Sequence, residues 1–93
     1  GHFSDPLGGM TLSANSYYEV SKALKQSNAG VIFSLEGGYN LDALAESVYA
    51  TLSPFFDLEI KLEEPRTADE RITKYVDSKL TAAKKRISEY WDV

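Results

Sequence analysis

The sequence predicts an α/β protein, a piece of a parallel-sheet fold followed by a long C-terminal helix. The order of the sequence patterns is that of one repeat of an α/β fold. A helical apolar pattern comes first and is followed by a short apolar run, a glycine-rich loop and a second helical pattern. The apolar run has too few partner strands within 93 residues. We therefore expect material from outside the chain to complete the sheet.

The first predicted elements are a loop and a helix. Residues 1–12 are rich in Gly, Pro and Ser, which is typical of a loop. Ser13 can cap the backbone N–H groups of a helix that runs to about Gln26. The apolar residues that recur at helical spacing and should form its buried stripe are Tyr17, Val20 and Leu24.

A buried strand is predicted over residues 31–35, a nearly continuous apolar run that follows a glycine and precedes two more. Residues 58–62 are the one other strand candidate, and their strict alternation indicates a half-exposed edge. In an open α/β sheet, ligands bind in the loops that follow the carboxyl ends of strands. The loop after residue 35 is therefore a candidate binding loop.

The second helix is predicted to begin after Asn40, a good N-cap, and to end near Ser53, because Pro54 disfavours continuation. Its expected apolar stripe consists of Leu41, Leu44, Val48 and Leu52.

The third helix is predicted after an acidic linker that Pro65 interrupts. Thr67 followed by Glu70 forms a capping-box pattern, and the helix should run to about Trp91. One apolar stripe follows its length, formed by Ile72, Val76, Leu80, Ala83, Ile87 and Tyr90. This stripe should pack on the preceding α/β unit or pair with another copy. The predicted organisation is thus an α/β part at 1–56, a linker at 57–66 and an amphipathic helix at 67–93.

Composition excludes several classes of function. The net charge of −4 argues against a nucleic-acid-binding surface, and no apolar run approaches the roughly 20 residues that span a bilayer. No cysteine is present to form a disulfide or a thiolate metal site. We expect a cytoplasmic protein, and the absence of a start methionine indicates a fragment.

Two motifs point to chemistry. The motifs are Ser-Asp-Pro-Leu-Gly-Gly-Met at 4–10 and Leu-Glu-Gly-Gly-Tyr-Asn at 35–40. Together they resemble motifs of the zinc-dependent histone deacetylases. The resemblance is to the branch that includes class II enzymes and prokaryotic acetylpolyamine amidohydrolases. Glu36 stands where class I enzymes usually have glycine. The resemblance covers about residues 1–53 and implies an arginase/deacetylase-type fold. Beyond Phe56 the sequence shows no family pattern, so the third helix is predicted to be specific to its lineage.

The resemblance assigns roles to individual residues. Asp5 matches the aspartate that completes the family's zinc site, and carboxylate oxygen is a suitable zinc ligand. Tyr39 matches the catalytic tyrosine, whose hydroxyl donates to the amide carbonyl as it becomes an oxyanion. The residues that match the lining of the substrate tunnel are Leu12, Gly37 and Gly38. Taken alone, Asp5 is most simply a turn residue and Tyr39 a loop aromatic.

The family's other zinc ligands and its paired histidines cannot be placed in this chain. His2 is the only histidine, and we do not expect it to bind metal. The resemblance implies the C-terminal segment of an enzyme that uses zinc to hydrolyse N-acetyl amides of an acetylated peptide or polyamine. The isolated chain should be inactive and should bind no stoichiometric zinc. Its expected partners are the missing N-terminal part of the same enzyme or a second copy of itself.

The alternative is a non-catalytic module for interaction or oligomerisation, in which the third helix is the working surface. Upstream coding sequence with paired histidines and an Asp-x-His motif would favour the enzyme.

Overall fold

The computed structural model describes residues 1–64 and 69–92. Within these ranges the chain forms three helices, α1 (Ala14–Gln26), α2 (Leu41–Phe56) and α3 (Glu70–Ile87), and no β-strand. The one β-type pairing there is an isolated parallel bridge between His2 and Leu12. The prediction of an α/β parallel-sheet fold is therefore wrong for this chain, which is all-helical over the described residues.

The predicted strand at residues 31–35 has no regular structure, and Ile32 is 96% exposed. Phe33 contacts the ring of Phe55 edge-on, with the ring centroids 5.3 Å apart. Residues 58–62 form no strand either. A strand satisfies its backbone N–H and C=O groups by pairing with a neighbour. Neither segment finds that neighbour within the described residues, so the apolar pattern alone does not produce a sheet.

Two of the three predicted helix starts are confirmed. Ser13 Oγ accepts a hydrogen bond from the Ser16 N–H, and Ser16 Oγ accepts one from the Ser13 N–H, which forms a capping box at the start of α1. Asn40 Oδ1 accepts from the Ala43 N–H at 3.1 Å and caps α2. Both caps act within three residues of sequence, so they can be recognised without tertiary information.

The end of α2 differs from the prediction. The helix continues through Pro54 to Phe56 instead of ending near Ser53. Proline provides no N–H for the carbonyl four residues earlier, but here this loss falls in the last turn, where few hydrogen bonds remain to be made. Asp57, in the left-handed region at φ 52°, closes the helix by donating its N–H to the Ser53 carbonyl.

Small residues form the contact between α1 and α2, which is the one helix pair in contact in the described part of the chain. The buried residues of the two helices are Ala14, Ser21, Ala43, Ser47, Ala50, Ser53 and Pro54. The predicted large apolar stripes are not buried: Val20 is 62% exposed and Leu41 is 78% exposed. Small side chains allow two helices to approach closely. The large ones are left at the edges of the contact.

Helix α3 stands apart from the other two. Pro65 and Thr67, the predicted linker break and cap, lie outside the described residues. The N-cap is Asp69, whose Oδ1 accepts from the Arg71 N–H at 2.8 Å. The helix ends at Ile87, four residues before the predicted Trp91. It contacts neither α1 nor α2 and buries none of its residues, so its apolar stripe is open to solvent. No helix in the described ranges has the length and apolar character needed to cross a membrane.

The small-residue contact can be tested with one substitution at two positions of α2. Ala50 is fully buried, whereas Ala45 is exposed. Ala50→Leu should overpack the α1–α2 contact and destabilise the fold by about 1 to 3 kcal/mol. Ala45→Leu should change stability by less than about 0.5 kcal/mol. Circular dichroism during urea unfolding measures both variants, and equal midpoints for the two would contradict the proposed packing.

Candidate functional site

The Asp5 carboxylate joins the two sequence motifs. Its Oδ1 accepts hydrogen bonds from the N–H groups of Leu7 and Gly8, at 2.8 and 2.7 Å. Its Oδ2 accepts from the N–H of Tyr39, which lies 34 positions along the chain, at 2.9 Å. The loop that carries Asp5 and the loop that carries Tyr39 are therefore in direct contact.

These hydrogen bonds also set the charge of Asp5. The bonds from Tyr39, Gly8 and Leu7, in that order of importance, lower the pKa of Asp5 from 3.8 to about 2. Asp5 is consequently ionised throughout the neutral range. The three bonds fill three of the roughly four acceptor positions of a carboxylate, so about one position is free for another ligand.

The glycine loop places the Tyr39 side chain at the surface. Gly37 and Gly38 have φ angles of 69° and 95°, in the region that favours glycine. The Tyr39 ring lies beside Gly37, since a Cβ on Gly37 would be 3.4 Å from Tyr39 Cε2. A Cβ on Gly38 would meet Leu44 Cδ1 at 2.6 Å. Tyr39 is 63% exposed, so most of the residue is open to solvent.

A groove of about 700 Å³ runs between α1, α2 and residues 33–38. Four of the five predicted site residues line it, namely Asp5, Leu12, Gly37 and Gly38. Tyr39 is not part of the lining. The large apolar side chains that the helix contact leaves uncovered also line the groove, among them Tyr17, Val20, Leu24, Leu44 and Val48.

A second polar cluster was not foreseen from the sequence. His2 is only 7% exposed, and its Nε2 lies 2.8 Å from Glu64 Oε1. Glu64 also accepts from the N–H groups of Ala14, at 2.8 Å, and Asn15, at 3.1 Å. Burial raises the pKa of Glu64, but the hydrogen bonds from Ala14, His2 and Asn15 together outweigh it and lower that pKa. No local pattern marks Glu64, because its partners lie 49 to 62 positions away.

The side chains around Asp5 do not provide the set of ligand atoms that zinc needs. A catalytic zinc usually has three protein ligands, but Asp5 belongs to no group of three or more His, Cys, Asp or Glu ligands in ranges 1–64 and 69–92. The group found there consists of His2, Glu46 and Glu64, whose ligand atoms lie within 4.8 Å of one another. His2 and Glu64 already use these atoms in hydrogen bonds. The described residues therefore do not form a zinc site around Asp5.

Comparison with known proteins adds family information. Residues 1–54 match the family model described as the histone deacetylase domain. The chain is 32% identical to histone deacetylase 5 of Arabidopsis thaliana over 89 residues, which are 95% of this chain and 13% of that protein. It is 29% identical to chloroplastic histone deacetylase 10 of Oryza sativa subsp. japonica over 91 residues, with 89% of this chain and 20% of that protein covered.

The chain thus spans a fifth or less of the length of these relatives. The family model ends at residue 54, in agreement with the prediction that the family pattern does not continue past Phe56. The alignments to the two plant relatives do continue past Phe56. No solved structure matches the chain.

The contact between the two loops should depend on the backbone conformation of Gly38. Gly38→Ala adds a Cβ at a φ of 95° and against Leu44, so it should move the Tyr39 N–H away from Asp5. Gly9→Ala is the matched control, because nothing lies within 4 Å of the added Cβ and φ is not in the restricted region. Amide hydrogen exchange at Tyr39 should accelerate in Gly38→Ala and stay unchanged in Gly9→Ala. Unchanged exchange in both would show that the glycine is not needed for this contact.

Proposed function

Because the chain belongs to the histone deacetylase family, we propose that it is a segment of a zinc-dependent hydrolase that removes acetyl groups from N-acetyl amides. The observation that carries this proposal is the hydrogen bond between the Tyr39 N–H and Asp5 Oδ2. It brings together the two residues that the resemblance assigns to the metal and to the developing oxyanion.

In this proposal Asp5 provides one zinc ligand. Its lowered pKa supports the role, because a ligating carboxylate must be ionised. Since the remaining ligands are not found around Asp5, they would come from a part of the protein outside these 93 residues. When bound, zinc activates water and polarises a carbonyl group in this class of chemistry.

Tyr39 is proposed to donate its hydroxyl hydrogen to the carbonyl oxygen of the acetyl group. Such a donor, aimed at the charge that develops in the transition state, commonly contributes a few kcal/mol to catalysis. Asp5 holds the backbone of Tyr39 in place, while the residue is largely exposed. A tyrosine with a held backbone and an exposed side chain suits this role.

The resemblance implies the substrate class, and the surroundings of Asp5 support it. We propose that Leu12, Gly37 and Gly38 contact the acyl chain of acetyl-lysine or of an acetylated polyamine, because all three line the mostly apolar groove beside Asp5. Glu36 favours the class II-like branch. A cytoplasmic location stays a prediction, and the name of the rice relative places that protein in the chloroplast.

A helical interaction module is the second candidate function, and the exposure of α3 favours it. The helix buries no residue, and its apolar stripe faces solvent. We propose that the stripe is covered by the rest of the same protein or by a second copy. Cover from the same protein is compatible with the hydrolase, so the two candidates are not mutually exclusive.

The isolated 93-residue chain should bind no stoichiometric zinc and hydrolyse no acetyl-lysine peptide, because Asp5 belongs to no group of three metal ligands among residues 1–64 and 69–92. Elemental analysis after dialysis, together with a peptide deacetylation assay, tests this. One tightly held zinc per chain would contradict the prediction.

In the complete protein, Asp5→Ala should abolish zinc binding and activity together, since a ligand is lost. Tyr39→Phe should retain zinc and lower kcat by roughly 10²-fold, as expected for the loss of one oxyanion donor. Asp42→Ala, in the first turn of α2, is the control and should retain both properties. If Tyr39→Phe raised KM alone, Tyr39 would bind the substrate without stabilising the transition state.

A further inference from the structure

The chain exposes two apolar surfaces, the groove between α1 and α2 and the stripe along α3. We propose that α3 of one copy of this chain docks into the groove of a second copy, and that the second copy returns the same contact. This inference rests on the second candidate function, the helical interaction module, and it requires no metal. Contiguous apolar surfaces that remain in water commonly mark such interaction sites.

The two surfaces have complementary shapes. The groove is concave, has a volume of about 700 Å³ and is lined by large apolar side chains such as Val20 and Leu24. The stripe is a convex row on a single helix, and its members Ile72, Leu80 and Ile87 are 43% to 59% exposed. An amphipathic helix that lays its apolar face into an apolar groove is a common mode of recognition.

The charges of the two surfaces identify the groove as the partner of α3. Residues 1–64 contain nine acidic and three basic residues, a formal net charge of −6, whereas α3 contains six basic and two acidic residues, a net charge of +4. Asp5 and Glu36 line the groove, and no Lys or Arg among the described residues does. Opposite charges favour a complex and like charges disfavour it. Charge therefore favours α3 on the groove and disfavours the pairing of two α3 helices.

The basic residues of α3 include three that flank the stripe. Lys84 lies four positions after Leu80 and three before Ile87, and Lys79 and Arg86 each follow a stripe residue by three positions. Residues three or four positions apart are neighbours on a helix surface. When the stripe is buried in the groove, these three cations therefore lie at the edges of the contact.

A second copy is the occupant because α3 does not cover the groove of its own chain. The helix contacts neither α1 nor α2 there, so its stripe and that groove are both open. When two copies exchange the same element, the dimer closes with two equal contacts. Each copy then buries both of its exposed apolar surfaces.

Docking and substrate binding would exclude each other in the groove. Leu12, Gly37 and Gly38 are proposed to contact the acyl chain, and all three belong to the same lining. The association itself requires no catalysis, so it can be measured on a chain that hydrolyses nothing. Failure of the docking is thus distinguishable from failure of the hydrolase proposal.

The concentration dependence of molecular mass tests the inference. Sedimentation equilibrium measures it for the 93-residue chain and for the complete protein. Leu80→Gln alters the stripe, and Val20→Gln alters the groove. The controls are Thr81→Gln on α3 and Ala23→Gln on α1, which place the same side chain at exposed positions outside the stripe and the groove lining.

We expect a dimer whose dissociation constant rises by about tenfold or more in Leu80→Gln and in Val20→Gln, because each change acts twice in a symmetric dimer. Both controls should stay within about twofold of the wild type. A mixture of Leu80→Gln and Val20→Gln should recover part of the dimer, since that pair contains one unchanged helix facing one unchanged groove.

The electrostatic part of the inference has its own test at about 0.15 M NaCl, where charges are screened beyond about 8 Å. Lys84→Glu should raise the dissociation constant by about three- to tenfold. Lys85→Glu makes the same change of charge on the side of α3 away from the stripe, and it should have an effect of less than about twofold. Raising NaCl to about 0.5 M should weaken the dimer, whereas screening would strengthen a pair of α3 helices.

Four outcomes would overturn the inference, and each has a different meaning. A monomer at every concentration would mean that no second copy covers the groove. A dimer that is insensitive to Val20→Gln and stronger in salt would mean that α3 pairs with α3. If the complete protein stays monomeric while the 93-residue chain dimerises, the rest of that protein covers the groove. If Leu80→Gln matches the wild type throughout, the second candidate function fails as well.

Discussion

The three hydrogen bonds accepted by the Asp5 carboxylate hold the candidate site together. Two of them close the turn that contains Asp5, and the third reaches the Tyr39 N–H across 34 residues of sequence. Because all three donors favour the ionised carboxylate, the same contacts that join the loops also lower the pKa of Asp5 to about 2. The structural role of Asp5 and its proposed role as a zinc ligand thus rest on one set of interactions.

A second constraint is the small size of the side chains between α1 and α2. Alanine and serine fill the contact, so the helices lie close together and the large apolar residues border an open groove. Helix α3 likewise leaves its apolar stripe in water. Burying a large apolar side chain is worth about 1.5 to 3 kcal/mol, which supports the proposal that a partner covers these surfaces.

Several local signals in the sequence predict the structure correctly. Ser13 and Asn40 cap their helices as predicted, and the glycines at 37 and 38 adopt positive φ angles in a loop. The two short motifs also identified the family. The predicted end of α2 before Pro54 is wrong, because the effect of a proline depends on its position in the helix and Pro54 lies in the last turn. The apolar stripes of α1 and α2 are predicted to be buried, but they are not. Helical periodicity shows which residues share one face of a helix, and it does not show whether another element covers that face.

The sequence by itself determined the starts of α1 and α2 and the family, because caps and motifs act over a few neighbouring positions. Only the tertiary structure decided that residues 31–35 remain unpaired, since a strand depends on partners that no local pattern can supply. The tertiary structure likewise brought Asp5 to Tyr39 and Glu64 to His2. These contacts join residues 34 and 62 positions apart, and hydrogen bonds over such separations form only when the whole chain has folded.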